Sequence, residues 1–138
     1  MLVSAPPQPH ALINAAVRSV GAVDYASPHQ DASEGLRGNV VVWSVYDGST
    51  RESFQNVLAG TWQVSFHVGS ESFSGAAVLA GDVWAALVNA PFSGVSVPGS
   101  TERIVAVTGD DLPVENRTAG QLLDYFEFQF TLYITTSS

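Results

Sequence analysis

The segment DYFEFQFTLYITTSS, at positions 124–138, alternates apolar and polar side chains almost without interruption. Successive side chains of an extended chain point to opposite faces, so this period of two predicts a half-buried β-strand. At about 3.3 Å per residue the strand would be roughly 35 Å long, about twice the common length. We therefore expect it to serve a contact beyond the core. The apolar side is Phe126, Phe128, Phe130, Leu132 and Ile134, and the other side is Glu127, Gln129, Thr131, Tyr133 and Thr135.

Length and composition indicate one folded domain. The chain has 138 residues, 46% of them hydrophobic, and three Trp, four Tyr and seven Phe, which argues against disorder. No apolar run approaches the 18 or so residues of a membrane span, so we expect no membrane partner. The absence of cysteine excludes a disulfide framework, thiolate zinc sites and cysteine nucleophiles. We predict a single domain over 1–138, with 1–9 as a flexible N-terminal arm.

The charge balance argues against nucleic-acid binding. The chain has thirteen acidic and five basic residues, which gives a formal net charge of −8. Phosphate contacts need Lys and Arg in numbers, so we expect that DNA is not held by this chain. The segment 1–21 has neither a charged n-region nor a long apolar h-region, and we expect no secretory signal. All the basic residues are arginines: Arg18, Arg37, Arg51, Arg103 and Arg117.

The first half of the chain predicts a helix followed by two strands. Apolar residues recur at helical spacing from Leu12 to Val20, and Gly21 supplies a stop. The polar, turn-rich stretch 24–37 predicts a long loop with a binding role. A β-branched run, NVVVWSVYDGS, predicts a strand that ends at the turn signal Asp47-Gly48. A helical turn with Phe54, Val57 and Leu58 would lead to the strand TWQVSFHVGS, antiparallel to the first.

The second half predicts one main helix and two more strands. Serines 70, 72 and 74 offer N-caps for an apolar stripe that runs from Ala76 to Val88 and ends at 89–91. A loop, PFSGVSVPGS, precedes the strand ERIVAVTG, the turn-rich DDLPVENRTAG and the long final strand. This order predicts an α+β fold, a two-layer sandwich with an antiparallel or mixed sheet of about four strands and two helices on one face.

No motif for catalysis or metal binding appears in the sequence. The three histidines, His10, His29 and His67, have no spacing that would bring two ligands to one metal, and His67 is expected at the surface beside Gln129 or Thr131. No serine stands in G-x-S-x-G, and the glycine-rich stretches lack the spacing of phosphate-binding loops. We therefore expect that the protein is not an enzyme and needs no cofactor.

The order of these patterns resembles a known family. The polar loop SPHQD, the helix FSGAAVLAGDVWAALVNAPF and the stretch VTGDDLPVENRTAGQLLDYFEFQFTLYI follow one another as in the tail terminator (tail completion) proteins of long-tailed bacteriophages. The resemblance covers most of the chain. It rests on the order and pattern of the elements.

This resemblance implies a structural role in a virion. Proteins of that family cap the growing tail tube, stop its polymerisation, and form a ring, usually of six subunits, that joins the tail to the head connector. The implied partners are copies of the same chain, the tail tube protein and the head-tail connector proteins. The implied location is the tail or neck region of a virion assembled in the host cytoplasm. DNA would pass through the ring without being specifically bound, and acidic walls would suit that passage because they repel phosphate.

Interface residues are expected on the polar face of the last strand, in the stretches 24–37 and 109–120, and at arginines available for ion pairs such as Arg103 and Arg117. Other virion parts share the acidic, cysteine-free, β-rich character: a tail tube subunit, a head-to-tail adaptor or a capsid decoration protein. A small-ligand-binding domain, or an enzyme with dispersed residues, is the alternative from another class. The candidate interface residues are Tyr25, His29, Gln30, Arg37, Arg103, Asp110, Asp111, Arg117, Tyr125, Glu127, Gln129 and Tyr133.

Overall fold

The structure is a computed structural model that describes residues 9–28, 38–52, 58–109, 111–116 and 126–137. These residues form three helices and six strands. In chain order they are α1 (His10–Arg18), β1 (Tyr25–Ser27), β2 (Val40–Glu52), β3 (Leu58–Ser70), α2 (Phe73–Val88), α3 (Ala90–Ser93), β4 (Arg103–Thr108), β5 (Val114–Glu115) and β6 (Phe126–Ser137).

All six strands belong to one mixed sheet. The strand order is β1-β2-β3-β6-β4, and β5 pairs with β6 beside β4. β1 runs parallel to β2, and the other pairs are antiparallel. The predicted α+β class is confirmed, but the described residues contain six strands and three helices, not about four and two. The added strands β1 and β5 have three and two residues, too few to show an alternating pattern.

The core lies between the helices and one face of the sheet. On this inner face Phe66 and Phe130 stack with ring centroids 5.1 Å apart. The helices pack their buried apolar residues against this face, as the helical spacing predicts. Ser72 caps α2, because its side chain accepts a hydrogen bond from the Gly75 N–H at 3.0 Å. The most deeply buried large side chains are Trp43, Phe66, Leu12, Ile13, Leu87, Leu132 and Ile134.

The predicted turn at Asp47-Gly48 is wrong. β2 continues through both residues to Glu52, with a register shift between Val45 and Asp47 that indicates a β-bulge. Gly48 is needed for packing, because a Cβ there would lie 2.8 Å from the Trp62 ring opposite it. The predicted helical turn over 54–58 is not found at Leu58, which begins β3; residues 53–57 lie outside the described residues.

Two further predictions need correction. Tyr25–Ser27 forms a strand inside the expected loop 24–37, and Ala90–Ser93 forms a helical turn where the loop after α2 was expected. His10, the residue after the predicted arm 1–9, is the first residue of α1, and its Nδ1 accepts a hydrogen bond from the indole of buried Trp43 at 3.3 Å. Residues 1–8 of the predicted arm lie outside the described residues.

None of the helices in the described part of the chain is both long enough and apolar enough to cross a membrane.

Candidate functional site

The face of the sheet that points away from the helices, here called the outer face, is polar along β3 and β6. The register places Gln63 opposite Tyr133, Ser65 opposite Thr131, and His67 opposite Gln129. Most of these side chains are half-buried, and Tyr133 is 43% exposed. The hydroxyls of Thr61 and Thr135 are 3.0 Å apart. The outer face therefore combines polar groups with an exposed aromatic ring, a composition common in protein interfaces.

A polar cluster of four residues lies at one end of the outer face. Glu127 joins the other members, because its Oε1 is 3.1 Å from Nδ1 of His67 and its Oε2 accepts a hydrogen bond from Asn116 at 2.7 Å. The contact to His67 is close but is not aligned as a hydrogen bond. On the other side of the imidazole, Nε2 of His67 is 3.5 Å from the Ser65 hydroxyl. The cluster thus connects β3, β6 and the residue after β5.

The order of groups in this cluster, hydroxyl, imidazole and carboxylate, is that of a serine hydrolase triad. Acyl transfer also needs N–H donors directed at the developing oxyanion. Ser65 is in the middle of the sheet, paired with Ser44 on one side and Thr131 on the other. Its backbone N–H is therefore used in the hydrogen bonds between strands and is not directed at a substrate oxyanion. The cluster is therefore best explained as a structural network that positions Asn116 and Glu127.

A covalent probe tests this interpretation. A fluorophosphonate reagent labels serines that a histidine activates, and we expect no labelling of the purified protein because the backbone N–H of Ser65 is used in the sheet and does not serve an oxyanion hole. Mass spectrometry of the intact protein measures the adduct. Labelling of Ser65 that disappears in a His67→Ala variant would contradict the structural role.

Residues 111–116, here called the edge segment, are held along the sheet at both ends. At one end the Asp111 carbonyl accepts a hydrogen bond from the Trp84 indole at 3.1 Å. At the other end the Asn116 N–H donates to the Glu127 carbonyl at 2.8 Å. Between them β5 pairs with β6. The edge segment is thus fixed to both the helix layer and the sheet.

The edge segment nevertheless presents apolar side chains to solvent. Leu112 is 64% exposed and Val114 is 56% exposed. They border a groove of about 390 Å³ whose other walls include Ser65, Gln129 and Thr131. Exposed apolar residues on a well-anchored backbone are typical of contact sites, because little conformational entropy is lost when a partner covers them.

The predicted interface residues divide into three groups. Glu127, Gln129 and Tyr133 are on the outer face, and Asp111 begins the edge segment beside them. Tyr25 lies in β1, at the opposite edge of the sheet. Arg103 begins β4, is exposed, and makes no ion pair with any described residue. The others lie outside the described residues: His29, Gln30, Arg37, Asp110, Arg117 and Tyr125.

Leu112, Val114 and Asn116 lie inside the predicted interface stretch 109–120, but the sequence analysis did not single them out. The segment around Pro113 is rich in turn-forming and acidic residues. Its two apolar residues are too few to show the alternation that predicts a strand. No group of three or more His, Cys, Asp or Glu side chains that could hold a metal ion occurs within the described ranges. What the described residues do present is an outer face of polar groups beside exposed apolar and aromatic side chains.

Comparison with known proteins finds similarity in the fold. No family of protein sequences and no curated protein matches the chain. Among solved structures, a chain of the "Virion of native gene transfer agent (GTA) particle" is similar, with a TM-score of 0.59 and 14% sequence identity. The similarity covers 88% of this chain and 84% of that chain. At this identity the comparison shows a shared fold over nearly the whole length of both chains.

Proposed function

We propose that this protein is a structural virion component, and more specifically a tail terminator that forms a ring, caps the tail tube and joins it to the head connector. The supporting observation is the fold shared with a chain of the gene transfer agent virion particle. The sequence resemblance to phage tail terminators, drawn from the order of the elements, gives the finer assignment. The proposal places the protein in the tail or neck region of a virion.

The surface of the molecule fits this role. A ring subunit needs two different contact surfaces in addition to the surfaces that meet the tube and the connector. The described sheet has β1 at one edge and β4 and β5 at the other, and it carries a polar outer face and the apolar Leu112 and Val114. We propose that these surfaces serve assembly and that the protein has no enzymatic activity.

Acidic composition fits a channel protein as well. With a formal charge of −8 and no lysine, subunits around a central channel would present walls that repel DNA phosphates. DNA would then slide through the ring without adhering. The specific partners in this proposal are copies of the chain, the tail tube protein and the head-tail connector proteins.

Tube assembly tests the proposal. We expect purified protein, added to polymerising tail tube subunits, to bind one end of each tube and to shorten the mean tube length in electron micrographs. Gold-labelled antibody should mark that single end. Labelling along the whole tube wall would favour a tube subunit instead, and labelling of capsid surfaces would favour a decoration protein.

A further inference from the structure

Two exposed side chains of opposite charge lie at the same edge of the sheet. β4 and β5 both pair with β6, β5 near its beginning and β4 near its end. Asp111 of the edge segment is exposed, and its carboxylate makes no hydrogen bond or ion pair with a described residue. Arg103, the first residue of β4, is exposed and has no such partner among the described residues either. Both charges are therefore available to another chain.

The surface around Arg103 is a groove with mixed chemistry, here called the β4 groove. It has a volume of about 360 Å³ and is bordered by Thr101, Arg103, Val105 and Ser137. The Arg103 guanidinium and the Thr101 hydroxyl are groups that donate hydrogen bonds to a carboxylate. Val105 is 48% exposed and offers an apolar contact beside them. The β4 groove therefore suits an acidic residue that is followed or preceded by an apolar one.

Asp111 and Leu112 have this composition and are held on a fixed backbone. The Asp111 carbonyl accepts a hydrogen bond from the Trp84 indole at 3.1 Å, and Pro113 restricts the backbone directly after Leu112. Leu112 is 64% exposed. Because the backbone is already fixed, a chain that covers these two side chains orders few additional groups.

The two charges of one copy are too far apart to pair with each other. Arg103 pairs with Ser137 of β6, whereas Asp111 borders a groove together with Thr131. Six residues of β6 separate Thr131 from Ser137, which is about 20 Å at about 3.3 Å per residue. The side chains of an arginine and an aspartate do not span this distance. An ion pair between Arg103 and Asp111 therefore requires two copies of the chain.

Arg18, the other arginine whose side chain the structure describes, is already used within its own copy. Its guanidinium group donates to the Asn14 side chain at 3.0 Å and to the Ala26 carbonyl at 3.4 Å. Arg103 is thus the better cation for a contact between chains.

The contact at β4 uses side chains and not an added strand. A register shift interrupts β4 between Ile104 and Ala106, and a charged residue stands at its first position. Bulges and charged residues on an edge strand oppose backbone pairing with another chain. They do not oppose the binding of a carboxylate and an apolar side chain in the β4 groove.

We propose that Asp111 and Leu112 of one copy bind in the β4 groove of a second copy of this chain, where Asp111 pairs with Arg103 and Leu112 covers Val105. The inference rests on the proposed function, which requires a ring but does not say which surfaces form it. Because the contact joins unlike surfaces, the end copies of a chain of subunits each keep one surface free. Repetition of the contact gives a ring when its rotation completes a full turn.

Cysteine cross-linking tests this contact, because the natural chain has no cysteine. A mixture of a Val105→Cys variant and a Leu112→Cys variant should give a disulfide-linked dimer on a denaturing gel after mild oxidation, and neither variant alone should give one. The chain that contains both cysteines should give a ladder of oligomers larger than the dimer. The matched control uses Val78→Cys in place of Val105→Cys, since Val78 is exposed on α2; it should give no product.

The outcomes separate this inference from the proposed function. A dimer from either single variant alone would mean that like surfaces meet, which overturns the contact. A double-cysteine chain that stops at the dimer would show a two-fold contact and overturn its role in building the ring. Rings in micrographs without any cross-link would overturn the contact and leave the ring proposal in place. A monomer that shows no cross-link and does not shorten tail tubes would overturn both.

Charge reversal gives a second measurement that does not depend on cysteine. Arg103→Asp and Asp111→Arg should each weaken association roughly tenfold, because an attraction becomes a repulsion, and the chain with both reversals should recover it. Asp82→Arg changes the net charge as Asp111→Arg does, at an exposed position of α2, and should leave association unchanged. Light scattering against concentration measures these changes. A double variant no better than the singles would contradict the pairing of Arg103 with Asp111.

Discussion

Replacing Leu112 and Val114 together with aspartate should abolish ring assembly and leave the subunit folded. Both side chains are more than half exposed, so the charges cost little in the free subunit. In a subunit contact that covers the edge segment, the same carboxylates would be buried without partners beside Asp111, which typically costs several kcal/mol. We expect association weakened on the order of 100-fold or more, measured by light scattering over a concentration series.

The control for this variant is Val78→Asp. Val78 and Leu112 are both 64% exposed, so Val78→Asp on α2 matches Leu112→Asp alone in charge and exposure, and both single variants are measured beside the double variant. Val78→Asp should assemble like the natural protein, and all variants should show similar melting temperatures. If Val78→Asp disrupted assembly equally, a general effect of added negative charge would replace the loss of a contact at the edge segment as the explanation.

Phe66→Ala should cause the largest loss of stability among single core substitutions. Phe66 is fully buried in the central strand β3 and stacks on Phe130 from the neighbouring strand β6. Truncation removes this contact and leaves a cavity between the sheet and the helices. The expected loss is about 3–5 kcal/mol in the free energy of unfolding, which guanidinium denaturation at one protein concentration measures.

Val78→Ala is the matched surface change for this measurement. The Val78 side chain is on the exposed side of α2, and its truncation should alter the free energy of unfolding by less than about 0.5 kcal/mol. A loss below about 1 kcal/mol for Phe66→Ala would place Phe66 outside the main core and would contradict the packing described here.

The sequence predicted best where a pattern was long. The alternation at 126–135 identified β6 and its buried side, because a half-buried strand of this length leaves little freedom in which residues face the core. The pattern at 61–70 identified the larger part of β3 and its antiparallel partner. The stripe from Ala76 onward identified α2, and Ser72 is the capping serine among the three proposed.

The errors arose where local signals have two explanations. Asp47-Gly48 is a strong turn signal in isolation, but here glycine admits the Trp62 ring within the sheet. The strands β1 and β5 form because their neighbours offer free edges, and two or three residues cannot reveal this. The third helix is a single turn of four residues after Asn89, where Ala90-Pro91 also fits a loop.

The candidate site was predicted in outline only. The outer-face residues Glu127, Gln129 and Tyr133 follow from the alternation of β6, since the residues between buried positions must point the other way. The polar cluster does not follow, because it needs the register that brings Glu127 within 3.1 Å of His67.

The most direct test of the central claim is the mass of the purified protein by light scattering at several concentrations, with negative-stain images of the same sample. The account predicts closed rings of about six subunits, because a head-to-tail contact gives a ring when its repeated rotation completes a full turn and an open filament when it does not. Open-ended tubes would contradict the terminator assignment and indicate a tail tube subunit. A monomer at every concentration that also fails to bind tail tubes would contradict the ring-forming role altogether.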